Sequence, residues 1–166
     1  MRYRLQRGTV TVTARTSVHD TTTRFSRLAG TIDFDADDPA AARAELAVDM
    51  RAFDAGDGFK NWKLKDVIDA DAHPTATFTL ARFDEIREAT AGRWTATALG
   101  QVRWRGHQPM VKVKGQASVD RRTIDARASF DLDLRELGMT PPRFLLVAVD
   151  DIVSVQVSLF AAGVDR

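Results

Sequence analysis

Arg93-Trp94-Thr95-Ala96-Thr97-Ala98-Leu99-Gly100-Gln101-Val102-Arg103-Trp104-Arg105 sets apolar and wet side chains in alternation. Trp94, Ala96 and Ala98 take one parity, and Arg93, Thr95 and Thr97 the other. Past Gly100, Val102 and Trp104 continue the dry row against Gln101, Arg103 and Arg105. A period of two belongs to a β-strand with one dry and one wet face. The same reading extends in both directions. Toward the N-terminus, dry rows run through Val10, Val12 and Ala14, through Ala44, Leu46, Val48 and Met50, and through Ala76, Phe78 and Leu80. Toward the C-terminus they run through Val111, Val113, Ala117 and Val119, through Ala126, Ala128, Phe130, Leu132 and Leu134, and through Val153, Val155, Val157 and Leu159. A further strand spans Phe25 to Phe34, where Gly30 interrupts the parity and predicts a bulge or a sharp coil.

Turn-forming stretches such as Ala36-Asp37-Asp38-Pro39 and Arg105-Gly106-His107-Gln108-Pro109 separate the rows. Strands this long leave unpaired edges unless the sheet closes. The expected fold is therefore all-β: an antiparallel barrel of about eight strands, whose interior admits side chains or one small ligand. One segment departs from the pattern. In Phe59-Lys60-Asn61-Trp62-Lys63-Leu64-Lys65-Asp66-Val67-Ile68, the residues Leu64, Val67 and Ile68 fall at helical offsets. Asp57 or Gly58 can cap its start, and His73-Pro74 lies beyond its end. A short helix is predicted here, between the third and fourth strands.

The 166 residues favour one domain over 1–166 and suffice for a core without external staples. The chain has no cysteine, which excludes disulfides and thiolate metal sites. Its 24 basic and 23 acidic residues leave a net charge of +1, unlike a dedicated nucleic-acid binder. The opening Met1-Arg2-Tyr3-Arg4-Leu5-Gln6-Arg7 is not followed by the apolar core of a secretory leader. A cytoplasmic protein is expected, or a periplasmic one if a leader has been removed.

Signs of catalysis are sparse. His19, His73 and His107 lack the spacing of a helical metal pair, and most carboxylates have wet-face parity. Ala55-Gly56-Asp57-Gly58 lacks the lysine and spacing of a phosphate loop. No cofactor and no metal are expected. Arg103, Arg105, Lys112 and Lys114 share outward parity. They make either a solvated face that resists sheet stacking or a contact for anionic lipid headgroups.

The dry rows mix rings with very small residues. Phe78, Trp94, Trp104 and Phe130 share them with Ala76, Ala96, Ala98, Gly115, Ala117, Ala126 and Ala128. Rings alone would fill a small barrel; rings among alanine and glycine leave room for an apolar guest.

Several stretches, in order, resemble the YceI-like family. They are Gly30-Thr31-Ile32-Asp33-Phe34-Asp35 with Asp38-Pro39; Lys63-Leu64-Lys65, Asp69 and His73-Pro74-Thr75-Ala76-Thr77-Phe78; Gly100-Gln101-Val102-Arg103-Trp104-Arg105-Gly106 with Pro109; Leu134-Arg135-Glu136-Leu137-Gly138-Met139; and Asp150-Asp151-Ile152-Val153-Ser154-Val155-Gln156-Val157. The resemblance covers nearly the whole chain. It implies a lipocalin-like barrel that binds polyisoprenoids. The chain departs from the family pattern near the expected mouth: Val67-Ile68 replaces an aromatic pair, His73 a tyrosine and Lys63 a histidine.

Three functions follow as expectations. The first is non-enzymatic binding, storage or transport of a lipid-like amphipath, an isoprenoid or isoprenoid quinone. Its tail would lie among Phe25, Trp62, Leu64, Ile68, Phe78, Trp94, Trp104, Phe130, Met139 and Phe144. Its headgroup would meet Arg24, Lys63, Lys65 or Arg143. The second is an enzyme using the same cavity, with His73 or His19 as base. The third is a protein-interaction module with a solid core and an apolar exterior patch. Transient contact with a membrane surface fits the first, and a homodimer formed through the exterior fits all three.

Overall fold

A computed structural model describes residues 1–16, 18, 20–139 and 150–164. Its strands in chain order are β1 (Arg2–Ala14), β2 (Thr21–Phe25), β3 (Leu28–Asp33), β4 (Arg43–Asp49), β5 (Phe53–Asp54), β6 (Thr75–Thr90), β7 (Arg93–Arg103), β8 (Met110–Val119), β9 (Thr123–Asp133) and β10 (Ile152–Gly163). One α-helix, α1 (Gly58–Ile68), lies between β5 and β6. Every pairing is antiparallel, and β10 returns to pair with β1 from Tyr3↔Gly163 to Thr13↔Ser154, so the sheet closes.

Two of the barrel's eight staves are split. β2 and β3 run along the same edge of β1 in one register, Val10↔Phe25 and Tyr3↔Ile32, with a break at Ser26-Arg27. β4 and β5 pair with β3 and β2 respectively, and Met50-Arg51-Ala52 bulges between them. The barrel is thus an up-and-down meander of eight staves, with α1 inserted between the third and fourth. The predicted fold class and helix position are both observed.

The predicted role of Gly30 is corrected. The β3–β4 ladder runs through it without a shift. A Cβ there would stand 2.3 Å from the Glu45 carbonyl oxygen, so the position needs glycine for close approach of two strands rather than for a bulge. The true irregularities fall elsewhere. β1 shifts register between Leu5 and Arg7, and β6 shifts at Leu80/Arg82, Phe83/Glu85 and Glu88/Thr90. Each extra residue reverses the inward parity.

The two ends of the barrel differ in construction. At one end, Tyr3, Ile124 and Ala161 form a compact buried cluster, with Ile32, Phe34 and Val119 packed against it. The Tyr3 hydroxyl donates to the Asp120 carbonyl at 2.6 Å, and burial pushes its phenol pKa up. Arg2 donates to Asp33 at 2.8 Å across β1 and β3, which holds the Asp33 carboxyl below its usual range. At the other end, α1 lies over the opening.

Candidate functional site

α1 forms where its signals place it. The Asp57 carboxylate accepts from the Lys60 backbone N–H at 2.8 Å and caps the first turn. Asp69, in the left-handed region at φ 49°, ends the helix. Leu64 and Ile68, one turn apart, are its buried residues and join Phe25, Met50, Trp104 and Leu137 in the core. Side chains anchor the helix to the barrel. Asn61 Oδ1 accepts from the Ala55 N–H at 2.6 Å. The Trp104 indole donates to the His73 carbonyl at 3.0 Å. Arg105 sits at φ 55°, ahead of Gly106, in the β7–β8 turn, and donates to the Ile68 carbonyl at 3.3 Å. Of the predicted basic ribbon, Arg103, Lys112 and Lys114 stay exposed on the exterior, while Arg105 is drawn to the helix end.

Beneath the helix the interior is hollow. Its cavity measures about 390 Å³, within the roughly 300–1,000 Å³ of small-molecule sites. The wall is almost wholly aliphatic and aromatic. The room comes from one patch. Ala96 pairs with Gly115, Gly115 with Ala128, and Ala117 with Ala126, so small residues on β7, β8 and β9 meet side by side. All of them line the cavity. Gly100 continues the row because the Phe78 ring lies over it: a Cβ there would stand 2.2 Å from Phe78 Cε2. Phe78 in turn stacks with Phe130 at 6.2 Å. The solid-core expectation is thereby corrected: the small side chains of this patch cannot span the barrel.

Of the residues predicted to surround a tail, Phe25, Leu64, Ile68, Phe78, Trp94, Trp104, Phe130 and Met139 line this cavity together. Trp62 does not; it is 65% exposed and packs beside Phe59 on the outer face of α1. The helix advances about 100° per residue, so Trp62, two residues before Leu64, points away from the barrel. The headgroup candidates Lys63, Lys65 and Arg24 are likewise displaced. Lys63 reaches over the Phe59 and Trp62 rings, its Nζ 5.7 and 5.1 Å from their centroids, and Lys65 is exposed on the helix. Arg24 alternates with the inward Thr23 and Phe25, so it faces a shallow exterior concavity that Thr9, Lys114 and Arg127 also line. Phe144, Arg143 and His19 lie outside the described residues. His73 is half-buried and outside the cavity wall, and His107 is exposed. Among the described residues, no group of His, Asp and Glu is arranged to hold a metal ion, and no helix is long and apolar enough to cross a membrane.

Lining residues absent from the sequence reading include Phe83 and Ile86, brought inward by the β6 irregularities, and Thr21 and Thr23. The threonines could have been found: in Thr21-Thr22-Thr23-Arg24-Phe25 they share the parity of Phe25.

No curated protein matches the chain significantly. Solved structures do. Burkholderia cenocepacia BcnA is 20% identical, with a TM-score of 0.75 over 92% of this chain and 95% of that one. A polyisoprenoid binding domain from Saccharophagus degradans, implicated in plant cell wall breakdown, is 14% identical, with a TM-score of 0.71 over 98% of each chain. The Campylobacter jejuni YCEI protein is 13% identical, with a TM-score of 0.65 over 86% of this chain and 85% of that one. At these identities the likeness shows the barrel alone. The sequence profile of the YceI-like domain matches residues 3–161, and with that match and the closed, helix-covered barrel together, the chain belongs to the YceI-like family.

Proposed function

We propose that this protein binds an isoprenoid-like amphipath in its barrel and stores or carries it without chemical change. The apolar cavity of about 390 Å³ inside the barrel carries this reading. An apolar hollow of this kind excludes water and gains from any chain that fills it, by about 0.8 kcal/mol per buried methylene. The isoprenoid class is supported by family membership and by the fold shared with a domain described as polyisoprenoid binding. The helix-covered end is the proposed entry, because α1 is fastened there by side-chain contacts rather than by a strand ladder.

The catalytic alternative called for a histidine inside the cavity. His73 stands outside its wall and His19 lies outside the described residues, so no observation among the described residues favours that reading.

Native mass spectrometry of gently purified protein tests the proposal. The expected result is a bound lipid, or uptake of an added isoprenoid quinone or polyprenyl phosphate at one per chain. Protein that is ligand-free and ignores both additives would refute it.

A further inference from the structure

Among the described residues, the inward positions of the cavity wall are apolar except at one place. Thr21 and Thr23 occupy successive inward positions of β2 and are only 6% and 8% exposed. They are the buried polar residues of the core, and both line the cavity. Neither hydroxyl has a hydrogen-bond partner among the described residues, and neither is fully buried; at inward positions that line the cavity, both are placed to meet a guest. The remaining polar residues along the wall, Arg43, Thr77, Gln116 and Arg127, alternate with inward neighbours and have outward parity.

A hydroxyl in an apolar wall loses its water partners and gains nothing unless a guest replaces them. Two such groups on one strand lie about 7 Å apart, since each pair of residues advances that far. They sit where β2 pairs with the last residues of β1, Thr21 with Ala14 and Thr23 with Val12, toward the helix-covered end. Below them the wall turns to Phe25 and then to the alanine and glycine patch. A hydroxyl can donate to or accept from a neutral oxygen. It cannot neutralise a phosphate, whose charge would be stranded in a dry cavity.

We propose that Thr21 and Thr23 form the headgroup site of this barrel and select an uncharged oxygen, a hydroxyl or a carbonyl, with the tail running from there toward Trp94. This rests on the lipid reading above and makes it specific: the ligand is an isoprenoid alcohol or quinone rather than an isoprenoid phosphate.

Three probes with one tail decide it: geranylgeraniol, geranylgeranyl phosphate and the C20 hydrocarbon lacking oxygen. Their binding is measured by native mass spectrometry and by competition with a fluorescent fatty amine, on the full chain and on the Thr21→Val/Thr23→Val variant. The alcohol should bind the full chain about tenfold more tightly than the hydrocarbon, the advantage of one to two buried hydrogen bonds, and more tightly than the phosphate. The variant should bind the hydrocarbon as the full chain does and lose the alcohol's advantage. Thermal unfolding checks that the variant is folded; single Thr21→Ser and Thr23→Ser variants, which keep the hydroxyl, should retain the preference. Tightest binding of the phosphate, or an alcohol preference that survives in the variant, overturns the headgroup assignment while the lipid reading stands. Failure of all three probes to bind overturns both.

Discussion

The two ends of the barrel are closed by different means. At the Tyr3 end, side chains from the strands themselves meet across the axis, and a buried phenol and an ion pair tie β1 to its neighbours. At the helix end, a separate element is laid over the opening, and its hold depends on Leu64, Ile68 and a few hydrogen bonds at its margins. The first kind of closure cannot open without breaking the sheet. The second can open while every ladder stays intact, and local openings of that sort cost less than global unfolding. The contrast separates a floor from a door.

The largest effect should come from breaking the floor. Trp94 packs edge-on against Phe34 at 5.2 Å. Trp94→Ala should cost about 3–5 kcal/mol, the range for deleting a buried aromatic, measured from urea unfolding midpoints. Loosening the door should cost less. Leu64→Ala is expected to lose about 2 kcal/mol, the low end for such truncations, and to raise hydrogen exchange in α1 while β7–β9 amides keep their protection. Trp62→Ala, on the outer face of the same helix, should change stability by under about 0.5 kcal/mol. If Trp62→Ala proved as costly as Leu64→Ala, the assigned helix face would be wrong.

The wall between the two ends offers a matched pair. A Cβ on Gly115 would find ordinary contacts at 3.4 and 3.7 Å, whereas one on Gly100 would strike the Phe78 ring. Gly100→Ala should therefore destabilise by about 1–3 kcal/mol through overpacking, and Gly115→Ala should be neutral or slightly stabilising. Differential scanning of the two variants side by side reads the difference.

The smallest effect concerns acid. In the β8–β9 turn at the Tyr3 end, the N–H groups of Arg122 and Thr123 hold the Asp120 carboxyl below its usual range. A carboxyl depressed in the folded state contributes stability above its unfolded pKa, and that contribution is lost as pH falls through the lower folded value. Unfolding midpoints should thus drop as pH falls below the ordinary aspartate value of about 3.9. Asp120→Asn, which keeps the acceptor but cannot titrate there, should reduce the drop.

Most of the barrel was legible because its inward rows are long and one side of each is wet. From Trp94 to Trp104, and from Val153 to Leu159, parity alone assigned the wall. Parity failed where a residue was inserted: after Leu80 the inward positions become Phe83 and Ile86, a change that depends on strand pairing and leaves no local mark. The helix was legible in position but not in orientation. Trp62 was assigned inward on hydrophobicity, while Leu64 and Ile68, spaced one turn apart, settled which face is buried. Lys63, Lys65 and Arg24 lie away from the cavity wall for a related reason. Charge at a loop or strand end does not by itself mark a mouth: Lys63 folds over its own helix's rings and Arg24 alternates outward. Among the described residues, the polar residues at inward positions of the cavity wall are uncharged threonines, which read as ordinary strand formers.

The seam between β1 and β10 has a kinetic consequence. Every other neighbouring pair of staves is consecutive in the chain, but Tyr3 and Gly163 are separated by all the other staves of the barrel. Loop closure over that span is slow, so a nascent chain must wait with β1 exposed along one edge until β10 arrives. The outward threonines Thr9, Thr11 and Thr13, with Arg2, Arg4 and Arg7 nearby, keep that waiting edge wet. The last pairing to form in synthesis is also the one that makes the hollow, so a truncated chain has neither a sealed edge nor a container.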